Sequence, residues 1–302
     1  MISLPRSSDF VRYGSAVTVL IKPRITLLVL ITACLGFYLG MRNTGLTGLD
    51  FVHGLLLFHL LAGTFLSSSG VSVLNQVMEW KYDGLMDRTK NRPIPSGVIT
   101  VKTGLALGLG LSGAGVGYLI LFTNPLTGLL SLGTILLYTL IYTPSKRITT
   151  LNTLIGSIPG ALPPVGGWVS VTGSVDPPAW ILFGILFCWQ IPHFLAIAIM
   201  YAGDYRQGGF KMIPSVYSDG WQTRYYMLFF TIAMSGISFG LYLVKMAGLF
   251  YAIGSAMAGA AFLAVVLKNL HFRERRNALA IMVGSIIYLP VLLVIILLDT
   301  II

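Results

Sequence analysis

Apolar residues run along this chain in long blocks, and short polar segments separate them. A helix needs about 20 mostly apolar residues to cross a bilayer. Nine stretches qualify: 24–42, 51–77, 102–122, 126–143, 151–172, 178–201, 224–244, 247–267 and 277–301. The pattern continues over the whole of 1–302, which predicts a single integral membrane domain. The expected fold is all-α, a polytopic membrane protein of nine transmembrane helices. The fifth stretch is interrupted by Pro159, Pro163 and Pro164. At membrane depth such a break is tolerated only where neighbours or a polar cavity satisfy the freed backbone groups. This span is therefore expected to be kinked and to line something.

Composition agrees and removes the other classes. Hydrophobic residues make up 55% and charged residues 10%, with a mean hydropathy of +0.83. A soluble domain carries about 25% charged residues to wet its surface. Disordered, coiled-coil and disulfide-scaffold readings fall at the same point. The 34 glycines suit close helix approach in a membrane bundle. Cys34 and Cys188 both lie in apolar stretches and read as small core residues. The first twenty residues include Asp9 and have no apolar run ending in a cleavage site, so no removable leader is expected.

The net charge of +10 changes the picture only after its position is known. With a cytoplasmic N-terminus, 18 of the 20 basic residues fall on the inside; only Arg42 and Lys245 fall outside. The charge thus reports orientation and requires no nucleic acid. The segments 80–102 and 202–224 are long, charged and on that same side. They follow the second and sixth spans, four helices apart, a layout that hints at a repeated four-helix unit. Chemistry is expected between them.

In the first of these segments Asn75, Glu79, Asp83 and Asp87 recur every four residues. On a helix each step turns about 40° beyond a full turn and rises about 6 Å, so the first three share a face. Like charges this close are unfavourable without a cation among them, and hard oxygen donors suit magnesium. The plain alternative is a solvated helix end, but the row begins inside a span, where ionisable residues are functional by default. Arg88, Lys90 and Arg92 follow, and Lys146 and Arg147 occupy the next inside loop. Carboxylates beside cations suggest a metal with a polyanion, although the basic residues also serve orientation. The second segment contributes Asp204, Tyr205, Arg206 and Lys211 around a Gly208–Gly209 turn. In the sixth span Trp189, Gln190 and His193 surround Pro192. His193 has two readings: a buried histidine bonded to a neighbouring helix, or a pocket residue facing a substrate. His53 and His59 have no chemical company, and His271 is expected to be solvated.

The row running into RTKNRPIPSG resembles the first motif of the UbiA superfamily of intramembrane prenyltransferases, and within it the branch that farnesylates heme. KPRIT (22–26), 75–97, 142–173, WQIPHFLAIA (189–198) and DYRQGGFKMIP (204–214) carry the resemblance. Gly203 departs from the basic or acidic residue usual in that branch, and Glu79 stands where many members have Asp. The resemblance implies nine helices around a central cavity, farnesyl diphosphate as donor, heme B as acceptor and heme O as product. It implies magnesium held by Asn75, Glu79, Asp83 and Asp204, with Asp87 joining them in catalysis. Arg88, Lys90, Arg92, Lys146, Arg147, Tyr205, Arg206, Lys211, Trp189 and His193 are the implied substrate contacts. It also implies a prokaryotic plasma membrane and a downstream partner that oxidises heme O. Rival functions are prenylation of a quinone precursor, secondary transport and non-catalytic heme binding.

Overall fold

A computed structural model describes residues 7–46, 48–217, 220–270 and 275–299. His271 and residues 1–6, which belong to the stretch read for a leader, lie outside the described residues. Among the described residues nine helical spans are long and apolar enough to cross a membrane, one for each predicted stretch. The protein is an integral, multi-pass membrane protein.

Helix α1 (Ser7–Ile21) leads into the first span, α2 (Pro23–Asn43), and α3 (Phe51–Asp83) forms the second. The third is α4 (Val101–Phe122). The fourth joins α5 (Pro125–Leu136), a π-helical turn (Leu137–Tyr142) and α6 (Thr143–Ile148). The fifth is α7 (Asn152–Gly160) and α8 (Pro163–Thr172); the sixth is α9 (Pro177–Met200). Short helices α10 (Ala202–Gln207) and α11 (Ile213–Val216) follow. The seventh span is α12 (Trp221–Ser238) with α13 (Gly240–Leu243), then come α14 (Leu249–Lys268) and α15 (Arg275–Asp299).

Starts are set by caps and prolines. The side chains of Asp50, Thr100 and Asn124 accept from the N–H three residues on, and proline stands in the first turn of α2, α5, α8 and α9. Proline lacks the N–H a helix interior needs, and that position is where its absence costs least. The fifth span breaks between Gly160 and Pro163, as expected. There the Ser157 carbonyl accepts from Ala161 N at 3.1 Å and also from Gln190 of α9 at 3.4 Å, so a neighbouring helix adds a polar contact beside the break.

Helix α3 packs along α4, α2 along α8, and α9 against both α12 and α15. The α2–α8 pair is backbone to backbone. A Cβ on Gly36 would lie 1.8 Å from Pro164 O, and one on Gly167 would lie 2.0 Å from Ala33 O. The main core surrounds α9, whose Leu182, Ile185, Ile191 and Leu195 meet Trp168, Met227, Met234 and Tyr251. Outward faces carry exposed apolar side chains such as Leu28, Leu109, Leu121 and Leu129, which suits lipid as solvent. At the end of the bundle opposite the long loops, Arg42 donates to Met246 O at 3.0 Å, and Asp299 accepts from Gly248 N and Tyr251 N to cap α14. A cavity of about 410 Å³ opens between α2, α3 and α15, with Ile31, Cys34, Tyr38, Leu57 and Leu297 among its apolar lining.

Candidate active site

Helix α3 continues six residues past the stretch read as its apolar span; Asn75 lies within that stretch, and the extension carries Glu79 and Asp83. Asn75, Glu79 and Asp83 are 2%, 6% and 1% exposed. Three polar side chains at four-residue spacing on a buried face must find partners, and each does. Asp83 accepts from Arg92 Nη1 at 2.7 Å, and Glu79 accepts from Lys146 Nζ at 2.8 Å. Asn75 Oδ1 accepts from Lys22 Nζ at 3.4 Å, while its Nδ2 donates to Thr143 Oγ1 at 3.2 Å. Three cations thus converge on two carboxylates and an amide.

Asp87 does not continue the row. Helix α3 ends at Gly84 as the chain turns into the loop, so Asp87 leaves the shared face. It is exposed and pairs with Lys90 at 2.6 Å. That contact holds its carboxyl below the ordinary carboxylate range and raises the Lys90 ammonium. Lys90 is likewise committed to Asp87 and not to the buried cluster.

The fourth span delivers its residues through the π-helical turn. Pro144 has no N–H for the preceding turn and its ring crowds the carbonyl four residues back. A wider π turn just ahead of a proline relieves both, and such turns occur preferentially at functional sites. Tyr142, the last residue of the turn, and Lys146 of α6 stand four apart, and the Lys146 ammonium lies 4.6 Å from the Tyr142 ring centre. Arg147 donates to the Tyr82 hydroxyl and stacks on that ring at 4.2 Å.

The two long loops meet over this cluster. Met86 of the first packs with Phe210 and Met212 of the second, flanked by Tyr82 and Tyr205. Arg88 lies over the rings of Tyr201 (5.0 Å) and Tyr205 (5.7 Å). Lys211 N donates to Lys146 O at 2.7 Å, and Asn152 Nδ2 donates to Lys211 O at 2.7 Å. The Lys211 ammonium reaches Ile148 O at 3.4 Å and so covers the carbonyl end of α6. Asp204 is half-buried on α10, and Arg206 is exposed there. Among the described residues no three His, Cys, Asp or Glu side chains converge at metal-binding distance. The oxygen donors on α3 are Asn75, Glu79 and Asp83, and Asp204 belongs to α10.

His193 has an interhelical bond: Nδ1 lies 2.8 Å from Ser285 Oγ of α15. Its ring stacks on Trp189 at 5.1 Å, and Trp189 Nε1 donates to Ser285 O at 2.7 Å. Both residues therefore join α9 to α15, the arrangement of the first reading. His59 pairs with Tyr118 at 2.8 Å and His53 with Asp50 at 2.7 Å, away from the row.

Sequence reasoning from the residues missed Lys22, Tyr138, Tyr142 and Thr143. A usable signal existed for the first: a lysine directly before the proline that opens a span, at the same end as the row. Lys22 is left-handed (φ 48°), a conformation that costs a residue with a Cβ about 1–2 kcal/mol, and its ammonium reaches Asn75 Oδ1. Burial, then Arg92 and Lys146, pull the Lys22 ammonium down to about 7. Below that pH it is charged and fit to hold an anion; above it the charge is lost. Affinity for an anionic substrate is expected to weaken as pH rises from 7 to 9. Lys22→Arg, which stays charged, should flatten that decline. Half-saturating concentrations measured across this range in both proteins check it, and an identical pH course in the two would remove Lys22 from the anion site.

A protoheme IX farnesyltransferase of Solibacter usitatus is 38% identical to this chain over 282 residues, covering 93% of it and 97% of the relative. One from Salinibacter ruber is 39% identical over 281 residues, with 93% and 97% covered. Among solved structures, a digeranylgeranylglyceryl phosphate synthase superposes with a TM-score of 0.77 at 17% identity, covering 95% of this chain and 98% of that one. A UbiA homologue from Archaeoglobus fulgidus bound to GPP and Mg2+ gives 0.66 at 14% identity, covering 93% and 99%. These two show the likeness of fold. The UbiA prenyltransferase family description matches residues 29–289, and with relatives this similar over nearly the whole length, the chain belongs to the UbiA prenyltransferase family.

Proposed function

We propose that this chain, acting as one integral membrane domain over 1–302, transfers the farnesyl group of farnesyl diphosphate to a vinyl group of heme B. Water adds in the same reaction, and the product is heme O. One observation carries the reading: Lys22, Arg92 and Lys146 interleave with Glu79, Asp83 and Asn75 at the buried end of α3. An excess of cations over carboxylates in one pocket suits a substrate with several negative oxygens. The names borne by the relatives point to heme as acceptor.

Magnesium fits this donor set, because Asn75 Oδ1 and the carboxylates of Glu79 and Asp83 are hard oxygens along one helix face. When bound it supplies charge stabilisation to the departing diphosphate. The chain's own residues do the rest. Arg92 and Lys146, held beside the site by Asp83 and Glu79, would balance the charge that grows on the diphosphate oxygens as the C–O bond breaks. Tyr138 and Tyr142 line the same wall, and the apolar bundle below keeps water from the allylic cation until the vinyl group attacks.

Incubation of membranes with heme B, farnesyl diphosphate and magnesium, followed by mass analysis of the porphyrin, tests this. Heme O is expected, and its loss on chelation. Transfer to a quinone precursor with heme untouched would establish the rival within the family. We further infer that the loops face the cytoplasm of a prokaryotic plasma membrane, where heme O passes to an enzyme that oxidises it. Reporters fused after residue 92 or 210 are expected inside, and those at 174 or 246 outside. A cytoplasmic signal at 174 would overturn the orientation.

A further inference from the structure

Thr143 is buried, 3% exposed, at the first position after the π-helical turn. Its hydroxyl donates to Tyr138 O at 2.9 Å, and a carbonyl oxygen only accepts. A hydroxyl has one proton to give, so Thr143 Oγ1 is left as an acceptor towards Asn75. The Asn75 amide must then present its NH2 to Thr143 (3.2 Å) and its oxygen to Lys22. Oxygen and nitrogen of an amide are otherwise interchangeable in shape. Here the Lys22 ammonium, which only donates, takes the oxygen at 3.4 Å, and a backbone carbonyl of the π turn enforces the same choice at closer range through one hydroxyl.

We propose that Thr143 is a positioning residue, which locks Asn75 with its carbonyl oxygen facing the cation and diphosphate site. The inference rests on the proposed function of that site. An unlocked amide would turn its NH2 towards the place a cation must occupy, where a donor repels it. The wide π turn acquires a purpose: an ordinary α turn would take the hydroxyl to the carbonyl four residues back and shift its position relative to Asn75.

The experiment compares Thr143→Val, of the same shape without the hydroxyl, with Thr143→Ser, which keeps it. Thr143→Val is expected to raise the half-saturating concentrations of magnesium and farnesyl diphosphate about tenfold, the loss of one buried hydrogen bond at about 1.4 kcal/mol per tenfold. The half-saturating heme concentration should not change. Thr143→Ser should restore the unsubstituted values to within about threefold. A second readout needs no turnover: the rise in melting temperature brought by farnesyl diphosphate with magnesium should shrink in Thr143→Val and return in Thr143→Ser. In an Asn75→Asp background, whose two carboxylate oxygens are equivalent, Thr143→Val should have less than half the effect on the magnesium requirement, in log units, that it has with Asn75. Equal ligand stabilisation in the valine variant and the unsubstituted protein would overturn the inference. So would a loss spread evenly over heme, magnesium and diphosphate, which is the mark of a packing defect. If farnesyl diphosphate with magnesium fails to stabilise even the unsubstituted protein, the failure belongs to the proposed function and Thr143 falls with it.

Discussion

Asp83→Asn is expected to lower heme O formation by about a thousandfold or more while the protein still inserts and folds. The substitution keeps the shape of a side chain that is 1% exposed and removes only its charge. Two consequences combine. Arg92, which donates to Asp83 at 2.7 Å, loses its counter-charge and takes up the space in front of the amide. The cation site loses one of its two carboxylates. Groups that stabilise charge developing in a transition state contribute about 10²–10³-fold each, and this change disturbs two of them. Product mass in membranes, normalised to folded protein, measures the effect. Activity within tenfold of the unsubstituted protein would remove Asp83 from the chemistry.

Lys146→Met is expected to lower activity by about a hundredfold or more and to lower stability as well. The two losses have different causes and can be separated. Glu79 is 8% exposed at its side chain, and Lys146 at 2.8 Å is its counter-ion. Removing one partner of a buried pair costs about 3–5 kcal/mol, because the remaining charge is stranded. Adding Glu79→Gln removes the stranded charge, so the double variant should recover most of the melting temperature. It should not recover activity, since the ammonium that meets the diphosphate is still missing and one of the two site carboxylates has gone with it. Recovery of both together would make Lys146 a folding residue only.

The meeting of the two loops was anticipated from their layout, and the structure adds the means. The Met86–Phe210 contact and the stacking of Arg88 on Tyr201 and Tyr205 tie the first loop to the second. Arg88 and Tyr205 thus lie together at the mouth. Lys211 contributes mainly through backbone bonds to Lys146 and Asn152, a role invisible in a residue type chosen for its charge.

Spans, the proline break and the shared face of Asn75, Glu79 and Asp83 were legible in the sequence because each depends on local rules. Lipid cannot satisfy a bare peptide group, so an apolar run of sufficient length must be a helix. A four-residue recurrence must then lie on one face of it. The tertiary structure decided everything that depends on which neighbour arrives. Lys146 meets Glu79 from 67 positions away, and Lys22 meets Asn75 from 53. His193 meets Ser285 from 92. Asp87 was lost from the row because α3 stops at Gly84, a choice made by the packing of the loop. The left-handed turn at Lys22 and the π turn before Thr143 likewise have no periodic signature. Each is a local departure that long-range contacts hold in place, and those contacts form only once the helices have packed.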